Sequence, residues 1–273
     1  QYDVDKIDVY KGASSLQYGS DAIAGVLVIQ PTTLKSKDGL TGTVLINGAS
    51  NNRLFGGSVN THYQKNKKYI EARATYQNFE AYRVPTQSFD YLGWTYPIHN
   101  KILKNTAGRE TNLSLCSGII HNNFSSNILV SNVYAKTGFF AGAHGIPSEV
   151  GLADDGKYRT IALPYQRVNH LKIAFNQRLK LNDLQELTFD LGYQNNNRKE
   201  FAKPHSHGGE ELPDSNLELE LKLQTISFNT AWNNQLSATN KLSFGISSEY
   251  QDNEIGGFSF LLPQFEQIVA GAY

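Results

Sequence analysis

The sequence predicts an all-β protein built mainly from one long antiparallel sheet of the membrane-barrel type. Three observations predict it: apolar and polar residues alternate over long segments, these segments exceed the usual strand length, and the links between them alternate between short and long. The composition agrees with strands, because 15 Tyr and 14 Phe in the absence of Met favour the pleated surface of a sheet.

The alternation is clearest in two adjoining segments. Leu171, Ile173 and Phe175 are separated by polar or small residues, and Leu187 and Leu191 follow the same scheme. A period of two places these apolar side chains on one face of a strand. Segments of this kind are predicted at 54–64, 69–82, 165–181, 184–198 and 241–252.

The length of the segments separates two interpretations. In a soluble sandwich the apolar face forms the core, and strands run about five or six residues. In a membrane barrel the apolar face meets lipid, and about 9 to 11 residues cross the bilayer at a tilt. The predicted strands reach the second length, which favours a membrane barrel. A helical membrane protein is excluded, because the longest apolar run, 22–29, is far below the ~18 residues that a spanning helix needs.

The links between segments support the same interpretation. Outer-membrane barrels have short periplasmic turns and longer extracellular loops, whereas a soluble sandwich has no reason to keep its short turns at one end. The link at 50–53 is short where a long loop is expected. The other short links are 65–68, 121–123, 182–183 and 237–240, and the long ones are 83–108, 139–164 and 201–216.

The predicted strand count is about nine, with a β-bulge near Gln224 where the apolar residues change parity between Leu223 and Ile226. Bacterial single-chain barrels have an even number of strands, so the chain is expected to be a fragment that stops inside a loop after 260–263. Barrels of ~22 strands carry a plugged lumen. The expected architecture is therefore about 9 of ~22 strands of such a plugged antiparallel transmembrane barrel.

The first thirty residues predict a separate small α+β unit. Residues 4–10 alternate as in a half-buried strand, 13–18 predict a turn or short helix, and 24–29 predict a buried strand. Glycine permits the tight turns and close backbone approaches between these elements.

The segment 5–29 resembles the end of the plug domain of TonB-dependent outer-membrane receptors. That family shows an I-E-V-x-K-G-P strand, an L-Y-G-S turn and a G-A-I-G-G-V-I-N-I strand, and this chain has I-D-V-Y-K-G-A, Q-Y-G-S and D-A-I-A-G-V-L-V-I. Ala13, Gln17 and Val28 depart from the pattern, but no turn glycine is replaced. Residues 138–147 and 260–263 resemble the receptors of Bacteroidetes-type bacteria. The motif contains Gly12, Tyr18, Gly19, Ser20 and Gly25. We expect these residues to have a structural role in the plug.

The resemblance implies the end of a plug at 1–36 and the N-terminal part of a multi-pass barrel at 37–273, in the outer membrane of a Gram-negative bacterium. It implies outer-membrane lipid and TonB as partners, the latter through an N-terminal box upstream of this chain. The implied function is active uptake of an iron-siderophore, haem or other metal complex, with cobalamin or a glycan as other cargo. No resident cofactor is expected, since a bound metal would be cargo.

Two other classes of function are alternatives to active uptake. A passive porin-like or adhesive barrel is disfavoured by the plug-like segment, and a soluble secreted β-protein by strand length. No spaced nucleophile, base and orienting acid is present, so the chain is not expected to be an enzyme. Zero net charge gives no reason to propose nucleic acid as a partner.

One loop motif predicts ligand binding. His205 and His207 lie two residues apart and are followed by Glu210 and Glu211, and His144 lies in another long loop. Imidazoles with nearby carboxylates coordinate Zn²⁺ or a similar metal. The alternative, a solvated polar loop, is favoured because four convincing ligands are not in view.

The two faces of the predicted strands carry further expectations. Polar-face residues are expected to meet the plug or lumen water, and outward aromatic residues are expected in an interfacial girdle. The polar-face residues are Glu71, Arg73, His170, Lys172, Arg178, Glu186 and Asp190, and the aromatic ones are Tyr63, Phe79, Tyr134 and Tyr193.

Overall fold

The computed structural model describes residues 6–12, 24–30, 38–140, 142, 147–204 and 211–273. One ten-stranded antiparallel sheet dominates this part of the chain, and β1 with β2 and β6 with β7 form two small sheets. The strands are β1 Lys6–Tyr10, β2 Val26–Gln30, β3 Gly39–Ala49, β4 Leu54–Lys65, β5 Lys68–Phe79, β6 Ser88–Tyr91, β7 Trp94–Pro97, β8 Gly108–Ile120, β9 Phe124–Gly138, β10 Tyr165–Lys180, β11 Gln185–Phe201, β12 Leu217–Gln235, β13 Lys241–Gly256 and β14 Phe265–Ala272; a short helix, α1, spans Glu149–Leu152.

The large sheet is a meander in which each strand pairs with the next one along the chain, apart from the β6–β7 hairpin inserted between β5 and β8. From β3 to β13 its strands run from 11 to 19 residues, which confirms the predicted length. No helix in the described ranges is long and apolar enough to span a bilayer.

The two faces of the sheet differ in chemistry, and the apolar one is exposed. Val59 and Leu115 are each 48% exposed, whereas Ser58 is 4% and Glu71 6% exposed. Cross-strand pairing places Val59 opposite Ala74 and Ala72 opposite Leu115 on one side, and His62 opposite Glu71 on the other. We call the side that carries Val59, Ile70, Leu115, Ile173 and Leu191 the apolar face, and the side that carries Ser58, His62, Glu71, Thr75 and Asp190 the polar face.

This arrangement confirms the orientation predicted from the sequence. A soluble sandwich would bury the apolar side chains and leave the polar ones in water. On β4 and β5 the reverse holds, since His62, Gln64, Glu71 and Thr75 are buried while Val59 and Ile70 are exposed.

The ends of the sheet also differ, as the alternation of link lengths predicted. At one end the strands are joined by the short turns 66–67, 121–123, 181–184 and 236–240. At the other end lie the links 50–53, 80–107, 139–164, 202–216 and 257–264, of which only the first is as short as a turn.

Three predictions about the strands are wrong. The sheet has ten strands, because residues 265–272 pair with β13 instead of lying in a loop. No bulge occurs near Gln224, which pairs in unbroken register with Asn195; the irregularity lies between Glu200 and Phe201, opposite Leu219 and Leu217. The apolar parity therefore changes because Leu219 to Leu223 lie on the polar face, and not because the backbone shifts.

The third correction concerns the aromatic girdle. Phe79 lies on the polar face, in alternation with Thr75 and Gln77, and its ring lies where a side chain at Gly108 would have to be. Tyr63, Tyr134 and Tyr193 lie on the apolar face as predicted.

The small sheet near the N-terminus contains the two strands predicted there, and the predicted turn at 13–18 lies outside the described residues. β1 pairs with β2 from Tyr10–Val26 to Lys6–Gln30. Gly25 has φ +127°, and a Cβ there would lie 2.6 Å from the carbonyl oxygen of Tyr10, so glycine is required at this approach. Tyr18, Gly19 and Ser20 lie outside the described residues, and the boundary at residue 36 stays a prediction.

Candidate functional site

The long loops 80–107 and 139–164 pack on each other at one end of the sheet. The buried Asn105 joins them, because its side-chain amide donates to the carbonyl oxygens of Phe139 (2.9 Å) and Pro164 (2.7 Å). Its Oδ1 accepts from the backbone N–H of Ala162 at 2.8 Å. One side chain thus fixes the two ends of the second loop to the first.

Ionic contacts connect these loops to the short link 50–53. The carboxylate of Glu80 lies 3.3 Å from the guanidinium of Arg53 and 3.2 Å from that of Arg159. Arg159 also donates to the backbone carbonyl of Arg53 at 3.1 Å. Because the two arginines come from different links, Glu80 holds three connections of the sheet together.

A small apolar centre lies inside this loop layer. α1 is capped by Ser148, whose Oγ accepts from the N–H of Gly151 at 3.1 Å, and it contacts β7. The ring of Phe89 meets that of Phe140 edge to face at 5.4 Å. The buried apolar residues of the two loops are Ala81, Ile98, Ala107 and Leu152.

A cleft of about 70 Å³ opens between the two loops. On its wall the amine of Lys104 lies 3.3 Å from the carboxylate of Asp155 and donates to the carbonyl oxygen of Ala153 at 2.7 Å. Asp154 accepts from the hydroxyl of Tyr158 at 2.9 Å and from the side-chain amide of Asn100. The polar residues that line the cleft are His99, Lys104, Asn105, Asp154, Asp155, Lys157, Tyr158 and Thr160.

The two carboxylates of the cleft are held in their charged form. The backbone N–H of Gly156 and then the hydroxyl of Tyr158 hold the pKa of Asp154 below its usual value. The backbone N–H of Lys157 does the same for the pKa of Asp155, with help from Lys104. At neutral pH the cleft therefore offers two carboxylates beside an ammonium group, which suits a ligand with hydrogen-bond donors.

The polar face of the sheet is the other place where polar groups are concentrated. Glu71 accepts from the side-chain amide of Asn60 at 3.2 Å and lies 3.6 Å from the guanidinium of Arg73. Farther along the sheet Asn176 donates to Asp190 at 2.7 Å. Glu71 and Asp190 are thus each held by an amide of the neighbouring strand.

The predicted metal-binding loop cannot be compared with this geometry. His144, His205, His207 and Glu210 lie outside the described residues, and Glu211 is exposed in the loop 202–216. Within the described ranges no three His, Cys, Asp or Glu side chains form a group that could hold a metal ion. The absence of enzymatic activity and of a resident cofactor stays a prediction.

Sequence reasoning did not find the cleft. Its residues come from two loops separated by β8 and β9, and the one local signal is Asp154-Asp155-Gly156, a common turn sequence. The packing of the loops, and not a motif, brings Lys104 to Asp155.

The sequence matches no protein-family model and no curated protein. Among solved structures, the copper transporter OprC has a TM-score of 0.50 and 13% identity over 99% of this chain and 46% of that one. OmpT, an outer membrane protein of Vibrio cholerae, has a TM-score of 0.41 and 10% identity over 93% of this chain and 62% of that one. This chain thus spans less than two thirds of either protein, and it has the antiparallel all-β fold of outer-membrane barrel proteins.

Proposed function

We propose that this chain belongs to a TonB-dependent transporter that takes up a scarce metal complex, such as an iron-siderophore or haem, across the bacterial outer membrane. The observation that carries the proposal is the loop layer: two long loops, joined through Glu80 and Asn105, lie above a sheet with an exposed apolar face, and their cleft of about 70 Å³ has room for one polar group of a larger ligand. Such a layer is placed to capture a ligand from outside the cell.

The membrane location rests on the apolar face. An exposed apolar surface that runs along ten strands is unfavourable in water, and patches above a few hundred Å² mark contact with a partner or a membrane. Lipid covers such a face in an outer-membrane barrel. The long loops then lie on the extracellular side, since barrels of this kind keep their short turns in the periplasm.

The proposal that the protein captures a ligand rests on the loop layer. The cleft presents Asp154, Asp155 and Lys104, and the nearby β6–β7 hairpin exposes Leu92 (84%) and Trp94 (72%) at its turn. Aromatic side chains are preferred anchors in binding sites. Ion pairs and an exposed aromatic residue within one loop layer suit a complex with polar and planar parts, and OprC, a copper transporter, is consistent with metal cargo.

The proposal that transport is active rather than passive rests on the N-terminal segment. β1 and β2 form an antiparallel pair, Gly12 and Gly25 both have positive φ, and the sequence of this segment resembles the end of a receptor plug. A plug closes the lumen until TonB acts on it, so uptake is expected to depend on the proton gradient of the inner membrane.

The test is uptake by cells that lack the gene and carry a plasmid copy. Labelled ferric siderophore, haem, zinc and cobalamin are supplied in turn, with and without a protonophore. We expect one metal complex to enter only with the plasmid and only without the protonophore. Entry that persists after the protonophore, or after deletion of tonB, would instead identify a passive barrel.

The role of the cleft is tested by a matched pair of variants. Asp155→Asn removes a charge beside Lys104, and we expect weaker binding of the cargo that the wild type transports. Asp183→Asn removes a charge from an exposed turn at the other end of the sheet and should leave binding unchanged. Equal binding by both variants would exclude the cleft.

A further inference from the structure

Four cations lie opposite one another on four neighbouring strands of the apolar face. Arg109 of β8 pairs in register with Lys136 of β9, Lys136 with Arg167 of β10, and Arg167 with Lys199 of β11. Like charges directly opposite in a sheet repel each other. A row of this kind without acidic neighbours is therefore a favourable place for an anion.

One end of the row is neutralised by the protein itself. The amine of Lys199 lies 2.9 Å from the carboxylate of Glu220, and on the next strands Lys222 lies 2.7 Å from Glu254. Arg109, Lys136 and Arg167 differ, because the apolar faces of β8, β9 and β10, whose residues the structure describes throughout, carry no Asp or Glu. We call these three residues the cationic row.

Aromatic rings support the cationic row. The ammonium group of Lys136 lies 4.0 Å from the ring centre of Tyr165, and the guanidinium of Arg167 lies 4.4 Å from that of Phe201. The two rings stack on each other with centres 4.8 Å apart. Because cation–π contacts hold the charged ends against these rings, the cations stay at the sheet surface.

The position of the row indicates the kind of anion. All three residues lie at the long-loop end of their strands, and the apolar residues Leu113, Leu115 and Val130 follow toward the short turns. Neighbouring strands are about 4.8 Å apart, so the row spans about 10 Å. That span fits one or two phosphate groups at the level of lipid headgroups.

A depression in the apolar face lies between the row and the short turns, and its first lining residue on β8, Leu113, is about 13 Å along the strand from Arg109. It measures about 470 Å³ and is lined by Val59, Thr61, Ala72, Ala74, Leu113 and Leu115, among others. It forms because small side chains on β4 and β5 lie beside larger ones on β8. An acyl chain fits this surface and a free phosphate ion does not use it.

We propose that Arg109, Lys136 and Arg167 bind the phosphate groups of a phosphorylated glycolipid of the outer leaflet, with its acyl chains on the adjoining apolar surface. Arg binds phosphate through paired hydrogen bonds and Lys as a point charge. This inference rests on one part of the proposed function, because it requires that the apolar face contacts lipid.

The test is a binding titration of the protein purified from outer membranes, in detergent, with bisphosphorylated lipid A. Dephosphorylated lipid A and inorganic phosphate are titrated in parallel. We expect saturable binding of the phosphorylated lipid and at least tenfold weaker binding of the other two. Equal affinity for inorganic phosphate, or for the dephosphorylated lipid, would overturn the proposal.

Substitutions in the cationic row test whether these residues bind the phosphate groups. Lys136→Gln with Arg167→Gln should weaken lipid A binding about 30-fold, and Lys136→Gln alone about fivefold, at ~1 kcal/mol for each cation near an anionic surface. Lys172→Gln with Arg178→Gln is the control, because it removes the same charge from the polar face of β10. A double variant of the cationic row that binds within threefold of wild type contradicts the inference.

Folding and membrane insertion are checked separately by heat-modifiable gel mobility and by insertion into phosphatidylcholine vesicles. The variants of the row should fold, because they remove repulsion between like charges. A wild-type protein that inserts and transports its cargo but ignores lipid A phosphates overturns this inference alone. A protein that does not insert overturns the proposed function as well.

Discussion

His62 on β4 lies opposite Glu71 on β5, and its Nδ1 is 3.2 Å from Oε2 of the carboxylate. The imidazole also stacks on the ring of Tyr69, with ring centres 5.7 Å apart. Both His62 and Glu71 are buried although they lie on the polar face. The buried side chains of β4 and β5 are thus mostly polar, which is the arrangement expected when the apolar face is turned outward.

We expect Glu71→Ala to destabilise the protein, because it leaves the buried His62 and the half-buried Asn60 and Arg73 without a shared acceptor. A buried polar group that loses its partner costs about 1–3 kcal/mol. The measurement is the urea concentration at which heat-modifiable gel mobility is lost. Glu186→Ala, at a half-buried position of the same face, is the control and should shift the midpoint less. Equal midpoints for the two variants would contradict the role of Glu71.

A charge on the apolar face should be far more harmful than the same charge on the polar face. Val130 and Ser131 are neighbours on β9 that point to opposite faces. Arginine facing lipid near the bilayer midplane costs about 2–4 kcal/mol, so Val130→Arg should reduce the folded fraction in outer membranes and Ser131→Arg should reduce it much less. The amount of heat-modifiable protein in membrane extracts reports both. The opposite order would mean that the apolar face does not meet lipid.

The loop layer should loosen in acid. Since the pKa values of Asp154 and Asp155 are lowered in the folded protein, their contribution to stability is present above their ordinary pKa and is lost as the pH falls through the folded values. The transition should therefore lie below the ordinary Asp value of 3.8. Trp94 reports it, because β7 contacts α1.

The measurement uses the Trp232→Phe variant, in which Trp94 is the one remaining tryptophan. Its fluorescence anisotropy should stay constant down to about pH 5 and fall at lower pH, because the loosened loops let this exposed side chain move more freely. Adding Asp154→Asn should weaken or abolish this transition. An anisotropy that does not change with acid would contradict the role of the two carboxylates.

Loss of the Glu80 bridge should free the loops without unfolding the sheet. We expect Glu80→Gln to speed tryptic cleavage after Lys101 and Lys104, because its contacts with Arg53 and Arg159 no longer join three links. Each exposed ion pair is worth at most about 1 kcal/mol, so the sheet should keep its heat-modifiable mobility. Glu254→Gln removes the ion pair between Glu254 on β13 and Lys222 on β12, and it should leave loop cleavage unchanged. Faster cleavage in that control would show a general loss of stability.

Much of the fold could be predicted from local patterns. Alternation in segments such as 184–198 assigned side chains to faces, because successive residues of a strand point to opposite sides. The tenth strand was missed because Phe265 to Ala272 alternates weakly, and pairing with β13 makes it a strand. The bulge was misplaced at Gln224 because a change of apolar parity is also produced by leucines on the polar face.

The sequence by itself determined that the chain forms long antiparallel strands with one apolar face, short turns at one end and long loops at the other. These are properties of residues close together in the chain. Only the tertiary structure decided that Lys104 meets Asp155, and that Arg109, Lys136 and Arg167 stand in one row. The physical reason is register: cross-strand pairing brings together residues that are far apart in sequence, and no local pattern specifies which of them will be opposite.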